Sequence, residues 1–193
     1  MGDEWENYWT SKSIKKGLIE TLRRVYFSRI FSRIVKKIAT PDELVLETGC
    51  GTGEILSHIP NGIGVDNSKT IIRHAKNKCR MLALCDIRHL PFKKRSIGIV
   101  YNQGVMEHFS RKEFLEILKE FGRVSDKLAI FVPSKYSIFR IHSPFQDEPD
   151  KIYYSGRKLE SLMSGEYEAV VTKYLPSSFF LSLLGIGMKP KES

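Results

Sequence analysis

The segment that most restricts the fold is Leu44-Val-Leu-Glu-Thr-Gly-Cys-Gly-Thr-Gly53. A short apolar strand runs into an acid and then into Gly-x-Gly-x-Gly, so the chain must turn sharply where the strand ends. The same rhythm continues. Ile63-Gly-Val-Asp66, Met81 to Leu84, Ile97 to Tyr101 and Leu128 to Val132 read as further buried strands. Helical segments alternate with them: a start at Glu54–Ile59 stopped by Pro60-Asn-Gly62, then Ser68–Lys78, then a helix opened by the capping box Ser110-Arg-Lys-Glu113. Strand–helix alternation over residues 44–132 predicts an α/β fold with a doubly wound, mostly parallel sheet, whose ligands sit beyond the carboxyl ends of the strands.

The flanks read differently. From Ser13 to Ala39 the pattern is helical with a change of phase: Ile14, Leu18, Leu22, Val25 and Tyr26 share one face, whereas Phe27, Phe31, Ile34, Val35 and Ile38 share nearly the opposite one. Two helices, or one bent near Tyr26–Arg29, are expected there as an N-terminal helical cap. After Pro133 a loop runs to Asp150, followed by a short helix around Lys158–Met163. Tyr167–Leu175 and Phe179–Met188 then form a strand pair turning at Pro176-Ser-Ser. With 193 residues, one domain is expected (1–40 cap, 41–132 core, 133–193 acceptor side).

Charge is uneven within a formal net of +9. Residues 11–38 hold nine Lys/Arg against Glu20 alone, and residues 73–95 hold eight against Asp86 alone. Such blocks suit an anionic partner, RNA among them, and equally suit solvated helix faces. The longest uncharged stretch, Tyr174–Met188, has 15 residues and contains Pro176, too short for a membrane span of about 20. The acidic start lacks a signal-peptide apolar region, and Cys50, Cys79 and Cys85 form no CxxC pair, so a cytoplasmic, metal-free protein is expected.

Acids end three successive strands: Glu47, Asp66 and Asp86. A dinucleotide site would place its third glycine at position 54, but Glu54 stands there and would repel a pyrophosphate. An aspartate at a strand tip can accept from both hydroxyls of a ribose, another from an exocyclic amine, and the first acid from an ammonium group. Singly, each also suits a helix cap or a tight turn. Together they describe a site for a nucleoside with a cationic tail and no phosphate.

Glu47–Gly53, Asp66, Asp86, Leu90-Pro-Phe92 and Gly104-Val-Met-Glu-His108 resemble the class I S-adenosylmethionine-dependent methyltransferases, and most nearly the branch typified by quinone-biosynthesis enzymes. The resemblance implies a Rossmann-like, seven-stranded sheet that binds S-adenosylmethionine and releases S-adenosylhomocysteine. It sets Glu47, Gly49, Cys50, Gly51 and Gly53 around the methionine part, Asp66 with Asn67 at the ribose, Asp86 and the backbone of Ile87 at the adenine, and the backbone of Asn102 or Gln103 at the amino group. Gly98 departs from the family pattern, where an acid usually opens the fourth strand. Asn102-Gln103 departs too, replacing small or apolar residues.

A sulfonium methyl needs alignment more than activation, so the residue in question is the one that takes a proton from the acceptor. His108 is the first candidate base, Glu107 the weaker one, and a helix cap is the alternative role for His108. Aromatics in the flanks (Tyr8, Trp9, Tyr136, Phe139, His142, Phe145) are expected to roof a pocket for a small-molecule acceptor. The rival readings are a tRNA or rRNA methyltransferase using the basic blocks, and a non-catalytic cofactor-binding partner subunit. Neither an Asp/Asn-Pro-Pro-aromatic motif nor a Pro-Cys nucleophile is present. Nothing in the sequence indicates an oligomeric state.

Overall fold

The computed structural model describes Glu6 and residues 18–137, 151–176 and 181–191. The first ten residues apart from Glu6, the loop with Phe139, His142 and Phe145, and the Pro176-Ser-Ser turn beyond Pro176 lie outside the described residues. The elements are α1 (Leu18–Ile38), β1 (Val45–Thr48), β2 (Gly62–Asp66), α2 (Lys69–Ala75), β3 (Met81–Leu84), β4 (Ile99–Gln103), α3 (Arg111–Val124), β5 (Lys127–Pro133), α4 (Gly156–Met163), β6 (Tyr167–Pro176) and β7 (Leu181–Pro190).

Seven strands form one sheet in the order β3-β2-β1-β4-β5-β7-β6. Neighbours are parallel from β3 to β5, while β7 runs antiparallel to both β5 and β6. The chain first steps outward from β1 and then returns to β4 beside it, so the switch point lies between β1 and β4. Right-handed crossovers moving the same way put the Leu56–His58 turn and α2 on one face, and the opposite step from β4 to β5 puts α3 on the other.

Each face has its own core. Phe114, Ile117, Leu118 and Phe121 of α3, with Leu159 and Met163 of α4, pack on Leu46, Val65, Val100, Leu128 and Ile130. The capping box is formed as expected, Ser110 accepting from the Glu113 N–H while Glu113 accepts from the Ser110 N–H. On the opposite face Phe31 and Val35 of α1 pack on Val45, Ile99, Tyr101, Ala129 and Phe131.

Three expectations need correction. α1 runs unbroken through Tyr26–Arg29 as one helix. The Phe27–Ile38 stripe meets the sheet, and Tyr26, the one side chain of the other stripe among the described residues, is 58% exposed, so two separate helices are not formed. The Glu54–Ile59 helix shrinks to a 3-10 turn at Leu56–His58, with Ile59 already extended ahead of Pro60. The fourth strand begins two residues later than the Ile97 start, because Ile97 makes only an isolated bridge to Ser125 while Ile99 pairs with Val45. That shift places Asn102 and Gln103 on the strand itself. The Gly98 departure is also explained: a Cβ there would fall 2.3 Å from the Cβ of Glu43, whose carboxylate lies across the strand and meets Lys127 Nζ at 2.9 Å.

Candidate active site at the carboxyl ends of β1, β2 and β4

The loop after β1 turns on Gly49, Gly51 and Gly53, with φ of +66°, +52° and +72°. Gly51 is half-buried, yet among the described residues a Cβ there would meet nothing within 4 Å. A main chain without a side chain on that side lets a ligand lie directly on the backbone. Gly49 is covered instead, with Val105 of the segment after β4 packed on it, so the loops following β1 and β4 touch. The Gly51 N–H donates to Asp66 Oδ2 at 3.0 Å, which ties the first loop to the tip of β2.

Beside this loop are buried acceptors without donors. Glu47 is 3% exposed and its Oε2 has no hydrogen-bond partner. Burial pushes its carboxyl up to about 8; the Tyr101 hydroxyl and the Leu56 N–H pull it down without reversing this, and the Asp66 charge adds to the rise. On the neighbouring strand Asn102 is fully buried, its Nδ2 donating to Thr48 Oγ1 at 3.5 Å and its Oδ1 unpartnered. Gln103 is exposed at the strand end, and Cys50 is buried beside Glu47, its thiol pushed up by burial and by that carboxylate.

Asp66 is nearly buried and accepts from the Ser68 N–H at Oδ1, also at 3.0 Å. Burial raises its carboxyl, and the N–H groups of Ser68, Gly51 and Asn67 oppose that. Asn67 is exposed next to it. Glu6 returns from the N-terminal segment to this corner, accepting from Ser68 Oγ at 2.6 Å and from the Thr70 hydroxyl. Asp86 is clasped by Arg88, Nη2 to Oδ2 at 2.6 Å and Nε to Oδ1 at 3.1 Å, and these bonds hold its carboxyl below the usual range. Ile87 is buried in the core next to it.

After β4, Gly104 (φ +72°) reverses the chain into the 3-10 turn Met106–His108. His108 is half-buried, its N–H donating to Val105 O at 3.2 Å. The buried acid of the turn is Glu107, 3% exposed with Oε2 unpartnered. Glu6, Arg88 and Tyr101 were not singled out by sequence. The Asp-x-Arg spacing at 86–88 was the one legible signal among them.

The residues fit S-adenosylmethionine. An ammonium group would supply the donor that Glu47 Oε2 and Asn102 Oδ1 lack, and the space over Gly51 leaves room for the ligand above the loop. Among the described residues no group of three or more His, Cys, Asp or Glu could hold a metal ion, and no helix is long and apolar enough to cross a membrane.

Residues 45–127 match the family model described as "Methyltransferase domain". The uncharacterized protein MJ1252 of Methanocaldococcus jannaschii is 32% identical over 118 residues, covering 60% of this chain and 46% of that protein. A probable tRNA methyltransferase 9B of Mus musculus is 33% identical over 87 residues, covering 44% of this chain and 20% of that protein. The chain thus spans less than half the length of these relatives. The fold superimposes on magnesium protoporphyrin IX methyltransferase of Synechocystis PCC 6803 with bound S-adenosylhomocysteine, at a TM-score of 0.72 and 12% identity, covering 97% of this chain and 93% of that one.

Proposed function

We propose that this class I S-adenosylmethionine-dependent methyltransferase passes its methyl group to a small-molecule acceptor held beyond the carboxyl ends of β1 and β4. The observation that carries this reading is the segment packed on the turn that follows β4. After β5 the chain returns as residues 151–154, with Ile152 N–H donating to Glu107 O at 2.8 Å, Tyr154 N–H to Pro133 O at 3.1 Å and the Tyr154 hydroxyl to Met106 O at 3.5 Å. A segment closing over the end of β4 suits a compact acceptor better than a polymer.

In this reading Glu47 and Asn102 take the ammonium end of the cofactor, and the Gly49–Gly53 loop with Cys50 lies along its methionine part. Asp66 with Asn67 holds the ribose, and Gln103 borders the methionine end. Asp86 exchanges part of its Arg88 clasp for the adenine amine, with the Ile87 backbone against the ring. The cofactor, when bound, supplies an already activated methyl group. The chain supplies alignment, worth roughly 7–11 kcal/mol when two reactants are held in line. The thiols of Cys50, Cys79 and Cys85 are free, which suits a reducing compartment, and we place the enzyme in the cytoplasm.

A second reading, an RNA acceptor, is favoured by one observation. Arg29, Arg33, Lys36 and Lys37 of α1 and Arg73, Lys76, Lys78 and Arg80 on and after α2 are all exposed, on the same face of the sheet. The relative named as a tRNA methyltransferase points the same way. Incubation with methyl-labelled cofactor and fractionated cell extract tests both. Label in the small-molecule fraction is expected. Label in RNA, with binding that weakens steeply with salt, would put the second reading in its place.

A further inference from the structure

We propose that Glu107 is a catalytic residue that receives the acceptor as an amine, pairing with its protonated nitrogen and taking the proton that must leave before that nitrogen can be methylated. This inference rests on the small-molecule reading and narrows it to a substrate class.

The position follows from the fold. Gly104 turns the chain out of β4 in the left-handed region, and among the described residues a Cβ on it would meet a single neighbouring atom, Glu107 Oε1, at 3.7 Å. The space over the end of β4 is therefore bordered by that carboxylate. The turn carrying Glu107 is docked on the glycine loop, because Val105 packs on Gly49. The 151–154 segment closes the other side, binding the main chain of Met106 and Glu107. Glu107 thus stands next to the cofactor loop, in a covered position, at the switch point where ligands of such sheets bind.

The chemistry follows from what the carboxylate lacks. A buried carboxylate oxygen without a donor is costly, and a cationic N–H donor is the partner that offsets most of that cost. Glu47 and Asn102 already provide acceptors for the ammonium of the cofactor, which leaves Glu107 for the acceptor. Burial raises its carboxyl to about 7, against the nearby Lys151 charge, so it can change protonation at neutral pH. Among the described residues the groups facing it are Lys151 and the Tyr154 hydroxyl, itself pushed up by burial and then by the Glu107 charge, with His108 on its own turn. In the transfer a nitrogen–methyl bond forms as the sulfur–methyl bond breaks. The electron pair of the broken bond stays on sulfur; the nitrogen proton has gone to Glu107 beforehand, which frees the nitrogen pair that forms the new bond.

The test uses full-length protein and methyl-labelled cofactor with extract fractions. Label is expected on nitrogen, and Glu107→Gln is expected to lower incorporation at least 100-fold while S-adenosylhomocysteine affinity stays within about twofold. His108→Ala is expected to lower it less than tenfold. Glu107→Asp, which keeps the charge, should restore part of the rate and guards against a folding defect in the Gln variant. Independently of turnover, carbon-detected NMR of glutamate-labelled protein should show the Glu107 carboxyl titrating near neutrality. Adding the purified acceptor at pH 7 should move it to its ionised position. Label on oxygen, carbon or sulfur overturns the proposal, as do unchanged incorporation by Glu107→Gln and a carboxyl that does not respond to acceptor. Absence of labelled small molecules in every fraction instead overturns the underlying reading.

Discussion

The main-chain N–H of Gly51 donates to Asp66 Oδ2 at 3.0 Å, so the carboxylate that ends β2 also holds the loop that follows β1. Its other oxygen accepts from the Ser68 N–H ahead of α2. One side chain therefore ties together two loops of the site and still has lone pairs left for a ligand.

Asp66→Ala should accordingly act twice. Without ligand it should lower stability by about 1–3 kcal/mol for each buried donor left without its partner, read from chemical denaturation. It should also weaken cofactor binding by about 1.5–3 kcal/mol, with a smaller loss on an analogue lacking the ribose hydroxyls. Equal losses on both ligands would leave Asp66 with the structural role alone.

Gly51 and Gly53 separate ligand contact from folding. Alanine at either position meets the left-handed backbone cost, about 1–2 kcal/mol. A Cβ at Gly53 would in addition fall 2.5 Å from Cys79 Sγ, whereas one at Gly51 would meet none of the described residues within 4 Å. Gly53→Ala should therefore lower Tm more than Gly51→Ala. By calorimetry, Gly51→Val should lose most cofactor affinity while retaining a cooperative unfolding transition; unchanged affinity would sink the site assignment.

The raised carboxyls of Glu47 and Glu107 set a pH dependence with a definite sign. Both bind a proton more tightly in the folded chain than in the unfolded one, where a glutamate titrates near ~4.3. Their contribution is complete below that value, declines as pH rises, and is lost by about 8 for Glu47 and about 7 for Glu107. Glu47→Gln should flatten the slope of stability between pH 5 and 8. If Glu47 meets the ammonium of the cofactor, binding of S-adenosylhomocysteine at pH 7 should release a fraction of a proton. Calorimetry in buffers of different ionisation enthalpy measures this, and the release should vanish in Glu47→Gln.

Arg88 is expected to matter to the ligand more than to the fold. The Asp86–Arg88 pair is over a third exposed, so its loss should cost less than about 1 kcal/mol of stability. Arg88→Gln should leave Tm within a few degrees but change cofactor affinity, because Asp86 loses the partner that orients it. Asp86→Asn should weaken binding. No effect of either variant on affinity would remove Asp86 from the adenine end.

Much of this was legible in the residues. Local patterns settle local questions: the glycine loop, the acids closing β1, β2 and the segment after β3, and the Ser110–Glu113 capping box depend on neighbours in the chain. The alternation of strands and helices does the same for the doubly wound sheet. Long-range packing decided the rest. The phase change before Pro41 suggested two helices or a bend, but the chain runs on as one helix, and that the Phe27–Ile38 stripe is buried depends on the sheet it meets. The register of β4 was set by Val45, not by its own apolar run. The partnering of side chains distant in sequence was likewise invisible: Glu43 across Gly98, Glu6 on Ser68 and Thr70, and Val105 on Gly49. Most consequential is burial. Glu107 and His108 are adjacent, and composition favours the imidazole as the base. Only the fold buries the carboxylate under residues 151–154 and leaves one of its oxygens without a donor, because desolvation is a property of the packed surroundings and not of the chain.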